Sequence, residues 1–247
     1  MDAHQILATG LAALLFALVF VFGRSARPIS RLFHGRRGVV SFGAGASAAY
    51  MFVHVMPELH GTREVISDAN PKLPWEGMAV YFVALTGFLV FYALGHARHS
   101  TKGEGDGEVG EGAGRARYHL QLGGFAVYVW LLGYLLVRSF DDTGTSVVLF
   151  AIAIAFHLLS IDRSLSREYV APYEQRGRYV LALMGPLGWA VGMLVRIPDV
   201  ATALLVAFIS GAVIVNTAVT EMPKEGGRLV PFVLGGIIYG LILIPFG

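Results

Sequence analysis

Apolar residues fall along this chain in long blocks separated by short polar connections. Eight blocks can be marked: Gln5–Phe22, Gly38–Met56, Met78–His96, Tyr118–Val137, Thr145–Ser164, Arg178–Val195, Val200–Glu221 and Leu229–Phe246. Each is close to the roughly 20 residues that carry a helix across a bilayer. The pattern predicts an all-α fold, a polytopic membrane bundle of eight transmembrane helices forming a single domain over residues 1–247. Several runs contain Gly or Pro, which a membrane helix tolerates where its neighbours satisfy the freed backbone groups. Residues 98–117 break the pattern. Their Gly- and acid-rich sequence has too little apolar surface to fold and reads as a flexible connection.

Composition strengthens the membrane reading and narrows the chemistry. Hydrophobic residues make up 55% of the chain and charged residues 15%, which makes the lipid bilayer the expected partner. A net charge of +2 without a nucleic-acid-binding pattern argues against nucleic acid as a partner. The chain has no cysteine, which excludes disulfides and thiolate metal sites. The first run lacks a basic segment before it and a small-residue cleavage site after it, so it reads as a span and not as a removable signal.

Charge also orients the bundle. Of the 19 Lys and Arg, all but Arg63, Lys72, Arg138 and Arg196 lie in the first, third, fifth and seventh connections. By the positive-inside rule those connections are cytoplasmic. The expectation is a multi-pass protein of the cell membrane with both termini on the non-cytoplasmic side.

Few polar side chains interrupt the runs. His157 sits in AIAIAFHLLSIDR, with Ser160 and Asp162 one turn further on. An ionisable group placed in hydrocarbon is costly, so it faces a bundle interior or a polar path. Two readings of His157 stand side by side: a substrate or proton contact in a central cavity, or a neutral histidine hydrogen-bonded to a neighbouring helix. His54 and Glu58 form an i, i+4 pair at the outer end of the second run and mark one mouth of a path. Glu221 and Glu225 mark the other mouth, and Asn216 lies between on the seventh run. Asp162 is expected to pair with Arg163 or with interfacial water. The spans carry no metalloprotease helix motif, nucleophile elbow or phosphate loop, so no enzyme is expected.

The chain also repeats itself. An offset of 166 residues aligns Met56-Pro57 with Met222-Pro223 and matches Phe42 with Phe208, Gly45 with Gly211, Ala46 with Ala212 and Val53 with Val219. The two copies run in opposite directions across the membrane, predicting an inverted repeat of helices 1–3 and 6–8. That is a signature of secondary transporters.

In the order of these features the chain resembles the ZIP family of divalent metal transporters. The likeness rests on eight spans with outer termini, a variable third connection, SFGAGASAAYMFVHVMPEL in the second span, SGAVIVNTAVTEMPKE in the seventh and LALMGPLGWAVG in the sixth. It implies transport of a divalent metal ion or other small solute by rocking of the two repeats about a site near His157 and Tyr128. The resemblance also places the family's metal positions, and most are replaced. His157 holds a ligand position, but the adjoining ones are Leu158 and Ile161. The fourth-span motif falls on Tyr128-Val-Trp-Leu-Leu-Gly133, and the sixth-span glutamate is Gly185. With Leu, Ile, Val and Gly supplying no donors, His157 is the one candidate metal ligand left, and no cofactor is assigned. The alternative is a transport-inactive protein of this fold with a binding or regulatory role. A homodimer is left open as its assembly.

Overall fold

The computed structural model describes residues 3–23, 36–69, 76–96, 111–138, 144–218 and 228–244. Among these the chain is an all-α bundle of eight helices. Helix α1 is Ala3–Phe22. Helix α2 is continuous from Arg36–Tyr50 through a wide π-turn, Met51–Val55, into Met56–Ala69. Helix α3 is Glu76–His96, α4 is Glu111–Arg138 and α5 is Gly144–Glu168. Helix α6 joins a short turn at Val170–Pro172 and a π-turn at Tyr173–Gly177 to Arg178–Leu194. Helix α7 is Asp199–Asn216 and α8 is Leu229–Leu243.

Every apolar run is helical over its described residues, one of the two arrangements, with the closed barrel, that satisfy a backbone within a bilayer. Five helices, α1, α3, α4, α5 and α7, are long and apolar enough to cross a membrane, and α8 is a shorter apolar helix. Two elements differ from the sequence expectation. The connection expected from Leu59 onwards is helical as far as Ala69, and the segment expected to be unstructured through residue 117 is helical from Glu111. Both stretches are polar, so a hydropathy pattern passes over them.

Burial sorts the helices into an inside and an outside. In its most apolar window α4 is 61% buried, against 22% for α3, so α4 is the axis of the bundle and α3 a peripheral staff. Phe16 and Phe20 of α1, Tyr128 and Leu132 of α4, Ile154 and Leu158 of α5 and Leu181 of α6 are fully enclosed. Met78, Phe82 and Leu89 of α3 and Leu229, Ile237 and Leu241 of α8 point outward. A belt of large exposed apolar side chains on long apolar helices is a lipid-facing surface.

The close helix pairs are α2 with α8, α3 with α7, α4 with α6, and α1 with both α5 and α6. Glycine makes the first three crossings. A methyl group on Gly45 would overlap the Phe232 carbonyl, and one on Gly235 the Phe42 carbonyl. One on Gly211 would overlap the Ala84 carbonyl, and one on Gly87 the Phe208 carbonyl. Gly133 and Gly188 meet the Gly185 and Trp130 carbonyls in the same manner. Small residues let membrane helices approach closely enough for backbone contact, which replaces the hydrophobic drive that lipid cancels. Side chains add ties across helices: Trp189 Nε1 donates to Thr9 Oγ1 at 3.0 Å and Gln121 Nε2 to the Leu94 carbonyl at 3.0 Å.

Candidate functional site

The site grows out of α2. At Tyr50 the helix enters its π-turn, and His54 and Glu58 follow at intervals of four. A regular α-helix would carry Glu58 about 80° around the axis from Tyr50 over those eight residues. The wide turn winds less per residue and offsets that drift, so Tyr50, His54 and Glu58 share one face. The rings of Tyr50 and His54 stack with centroids 5.0 Å apart. His54 Nε2 lies 4.0 Å from Glu58 Oε2.

Two cavities meet at this face. The larger, about 510 Å³, lies where α2 and α4 end and α7 begins. Glu58, Thr62, Arg138, Arg196 and Asp199 supply its polar lining. The smaller, about 30 Å³, continues downward between α2, α4, α5 and α7. Its walls include Leu132, Phe150, Ile154 and Val213, and its polar members are Tyr50, Glu58 and Ser210. Glu58 and Val206 belong to both. The Ser210 hydroxyl donates to the Val206 carbonyl at 2.8 Å. Tyr50 is only 2% exposed, and its hydroxyl has no hydrogen-bond partner among the described residues. Arg138 Nη2 is held by the carbonyls of Gly192 and Val195, at 2.6 and 2.8 Å.

One helical turn below the cleft is the second candidate group. Tyr128 precedes Leu132 by four on α4, and His157 follows Ile154 by three on α5. The Tyr128 hydroxyl and His157 Nε2 are 3.0 Å apart, and both residues are buried, His157 at 1% exposure. The structure thus brings together the two residues that the sequence reading set at the centre of the bundle, as a hydrogen-bonded couple between two helices.

The remaining expected positions do not join them. The Ser160 hydroxyl is turned to the Phe156 carbonyl at 3.3 Å. Asn216 is buried at the far end of α7. Glu221 and Glu225 lie outside the described residues. Among the described residues, no three His, Asp or Glu side chains converge as a metal would require. The donors at His157, one imidazole and one phenol, do not fit a divalent ion, which needs several ligands with carboxylates among them.

Asp162 has partners that the sequence reading did not name. Its closest partners are the Tyr173 hydroxyl, which donates to Oδ1 at 2.6 Å, and Arg178, with Nη2 3.6 Å from Oδ1. Arg178 Nε also donates to the Phe20 carbonyl at 3.1 Å. The cluster clasps α1, α5 and α6 at one end of the bundle. Burial, and then the Asp162 carboxylate, push the Tyr173 phenol far above its ordinary range, so it stays a donor. Arg178 opens the sixth apolar run, and the turn after Glu168 folds it back against Asp162.

Sequence reasoning missed Tyr50, although the spacing Tyr50, His54, Glu58 was a visible signal. It missed Arg138, Arg196 and Asp199 because three separate helix ends bring them together. No protein-family model matches the chain, and no curated protein matches it either.

Proposed function

We propose that the chain is a multi-pass membrane transporter of ZIP-like architecture whose vestibule faces the non-cytoplasmic side, and that it is not an enzyme. The observation that carries the reading is the relation between its glycine crossings. Gly45 and Phe42 of α2 cross α8, and Gly211 and Phe208 of α7 cross α3 through the same backbone contacts. These are the positions that the 166-residue offset matches. Exchanging α1 with α6, α2 with α7, α3 with α8 and α4 with α5 turns the close pairs α2–α8 and α4–α6 into α7–α3 and α5–α1, which are also close pairs. Such an exchange supports an inverted repeat, the architecture in which two halves rock about a central site.

The vestibule supports a path into that centre. It descends from Arg138, Arg196 and Asp199 past Glu58 to a cleft that stops one turn above Tyr128 and His157. On the positive-inside assignment this entrance is non-cytoplasmic, so the vestibule opens to the outside. The cargo is a small solute. A divalent ion bound at His157 is disfavoured by the donor set.

Labelling tests the orientation. The chain has no native cysteine, and Gly61 lines the vestibule with nothing near enough to obstruct a side chain. Gly61→Cys is expected to react with a membrane-impermeant maleimide applied to intact cells. Reaction only after the cytoplasmic face is opened would reverse the assignment. Uptake tests the activity: proteoliposomes should accumulate at least one of a panel of small solutes and divalent ions above empty vesicles, with the rate falling in His157→Ala.

A second reading has an observation of its own. His157 is paired to Tyr128 in a fully packed surrounding, as in a protein that keeps the fold without transport. Uptake no greater than in empty vesicles for every member of the panel selects it.

A further inference from the structure

We infer that Glu58, with the Tyr50 hydroxyl beneath it, is a proton-binding site at the foot of the vestibule. The inference deepens the transport reading, on which the coupling role of that proton rests. Its basis is the cleft itself.

A carboxylate at the head of an otherwise apolar cleft calls for a cation, and the geometry selects among cations. On this measure of volume one water occupies about 10–15 Å³, so a cleft of about 30 Å³ holds about two. A divalent ion would bring a demand for about six or more oxygen ligands. Here the cleft offers one carboxylate, one phenol and a serine hydroxyl already committed to the backbone. A proton needs no coordination shell. The Tyr50 hydroxyl is the independent sign of an occupant, since a buried hydroxyl facing a cleft of this size finds its partner in a water held there.

The step is balanced. A hydronium ion in the vestibule gives its proton to the Glu58 carboxylate and leaves as water. The resulting O–H donates to a cleft water, which in turn donates to the Tyr50 oxygen. Release follows the same bonds in reverse. Charged and titratable groups surround Glu58 from several elements. His54 and Tyr50 stand on its own helix, Arg138 comes from α4, and Arg196 and Asp199 come from the start of α7 and the connection before it. Helix α5 contributes Phe150 and Ile154. His54 Nε2 stands 4.0 Å from the Glu58 carboxylate, beyond hydrogen-bond reach. Beneath Tyr50, Tyr128 and His157 offer the next hydroxyl and imidazole.

The test uses the full chain in lipid. Infrared difference spectra between acidic and alkaline buffers, without sodium, should contain a protonated-carboxyl band that Glu58→Gln lacks. In proteoliposomes holding a pH dye, a potassium diffusion potential should drive proton entry at least tenfold faster in the wild type than in Glu58→Gln, and several-fold faster than in Tyr50→Phe. A band lost in Glu58→Gln, with no wild-type flux, upholds the proton site and removes its coupling role, leaving the transport reading to the uptake panel. Should Glu58→Gln fail to assemble, Glu58→Asp must return the band at a shifted frequency. A spectrum unchanged by either substitution, or a band abolished by adding sodium at constant pH, overturns the inference.

Discussion

Arg178→Ala should cost about 3–5 kcal/mol of stability, the range for breaking a buried ion pair from one side. Asp162 is 2% exposed and Arg178 8%, so removing the guanidinium leaves an enclosed carboxylate that has lost its buried ion-pair partner. The Phe20 carbonyl at the end of α1 loses its donor in the same step. In detergent the apparent Tm is expected to fall by roughly 10 °C, at a few degrees per kcal/mol for a chain of this size. The decisive comparison is the double variant. Adding Asp162→Asn to Arg178→Ala removes the stranded charge and should return a large part of the loss, because a neutral pair has no such desolvation cost. A double variant no more stable than Arg178→Ala would show that the packing of the arginine stem, not the charge, holds this end together.

The second large effect is expected at the glycine crossings. Gly211→Leu drives a side chain into the Ala84 carbonyl, and Gly45→Leu drives one into the Phe232 carbonyl. The obstructing atoms are backbone, which cannot rotate aside, so the loss should exceed the roughly 1–3 kcal/mol of ordinary overpacking. Both variants are expected to elute as aggregates, or to unfold well below the wild type, after solubilisation. Gly123→Ala on α4 is the control, since nothing stands within 4 Å of its added methyl. Alanine there should be neutral or should stabilise by up to about 1 kcal/mol through helix propensity. If the two halves are repeats, the Gly45 and Gly211 variants fail to a similar degree. A tolerated leucine at one and collapse at the other would weaken that reading.

The helices were legible in the sequence and their relations were not. A continuous apolar run of about 20 residues has the length of a spanning helix and not of a barrel strand, so hydropathy alone reports it. The same signal fails at Met56–Ala69 and at Glu111–Arg117, where polar residues extend a helix beyond the apolar region. Of the site, His54 with Glu58 was readable from a spacing of four, and Tyr128 with His157 from the family comparison. Tyr50 was passed over because a tyrosine in an apolar run carries no charge to draw notice. The Asp162–Arg178 contact escaped for a different reason. It depends on the direction of the turn after Glu168, and no local pattern encodes that direction.

The unbroken helix from Arg36 to Ala69 has a mechanical meaning. At about 1.5 Å per residue it is roughly 50 Å long, against a hydrocarbon core of about 30 Å. Its far portion, Met56–Ala69, packs Leu59 and Ile66 against α3 and α7 beyond the wide turn at Met51–Val55. Glu58, Thr62 and Val65 lie on that portion and form a wall of the vestibule. An antibody fragment gripping the polar face near Arg63 and Glu64 would then hold the entrance in one position, giving external control over a cleft too narrow for the fragment to enter.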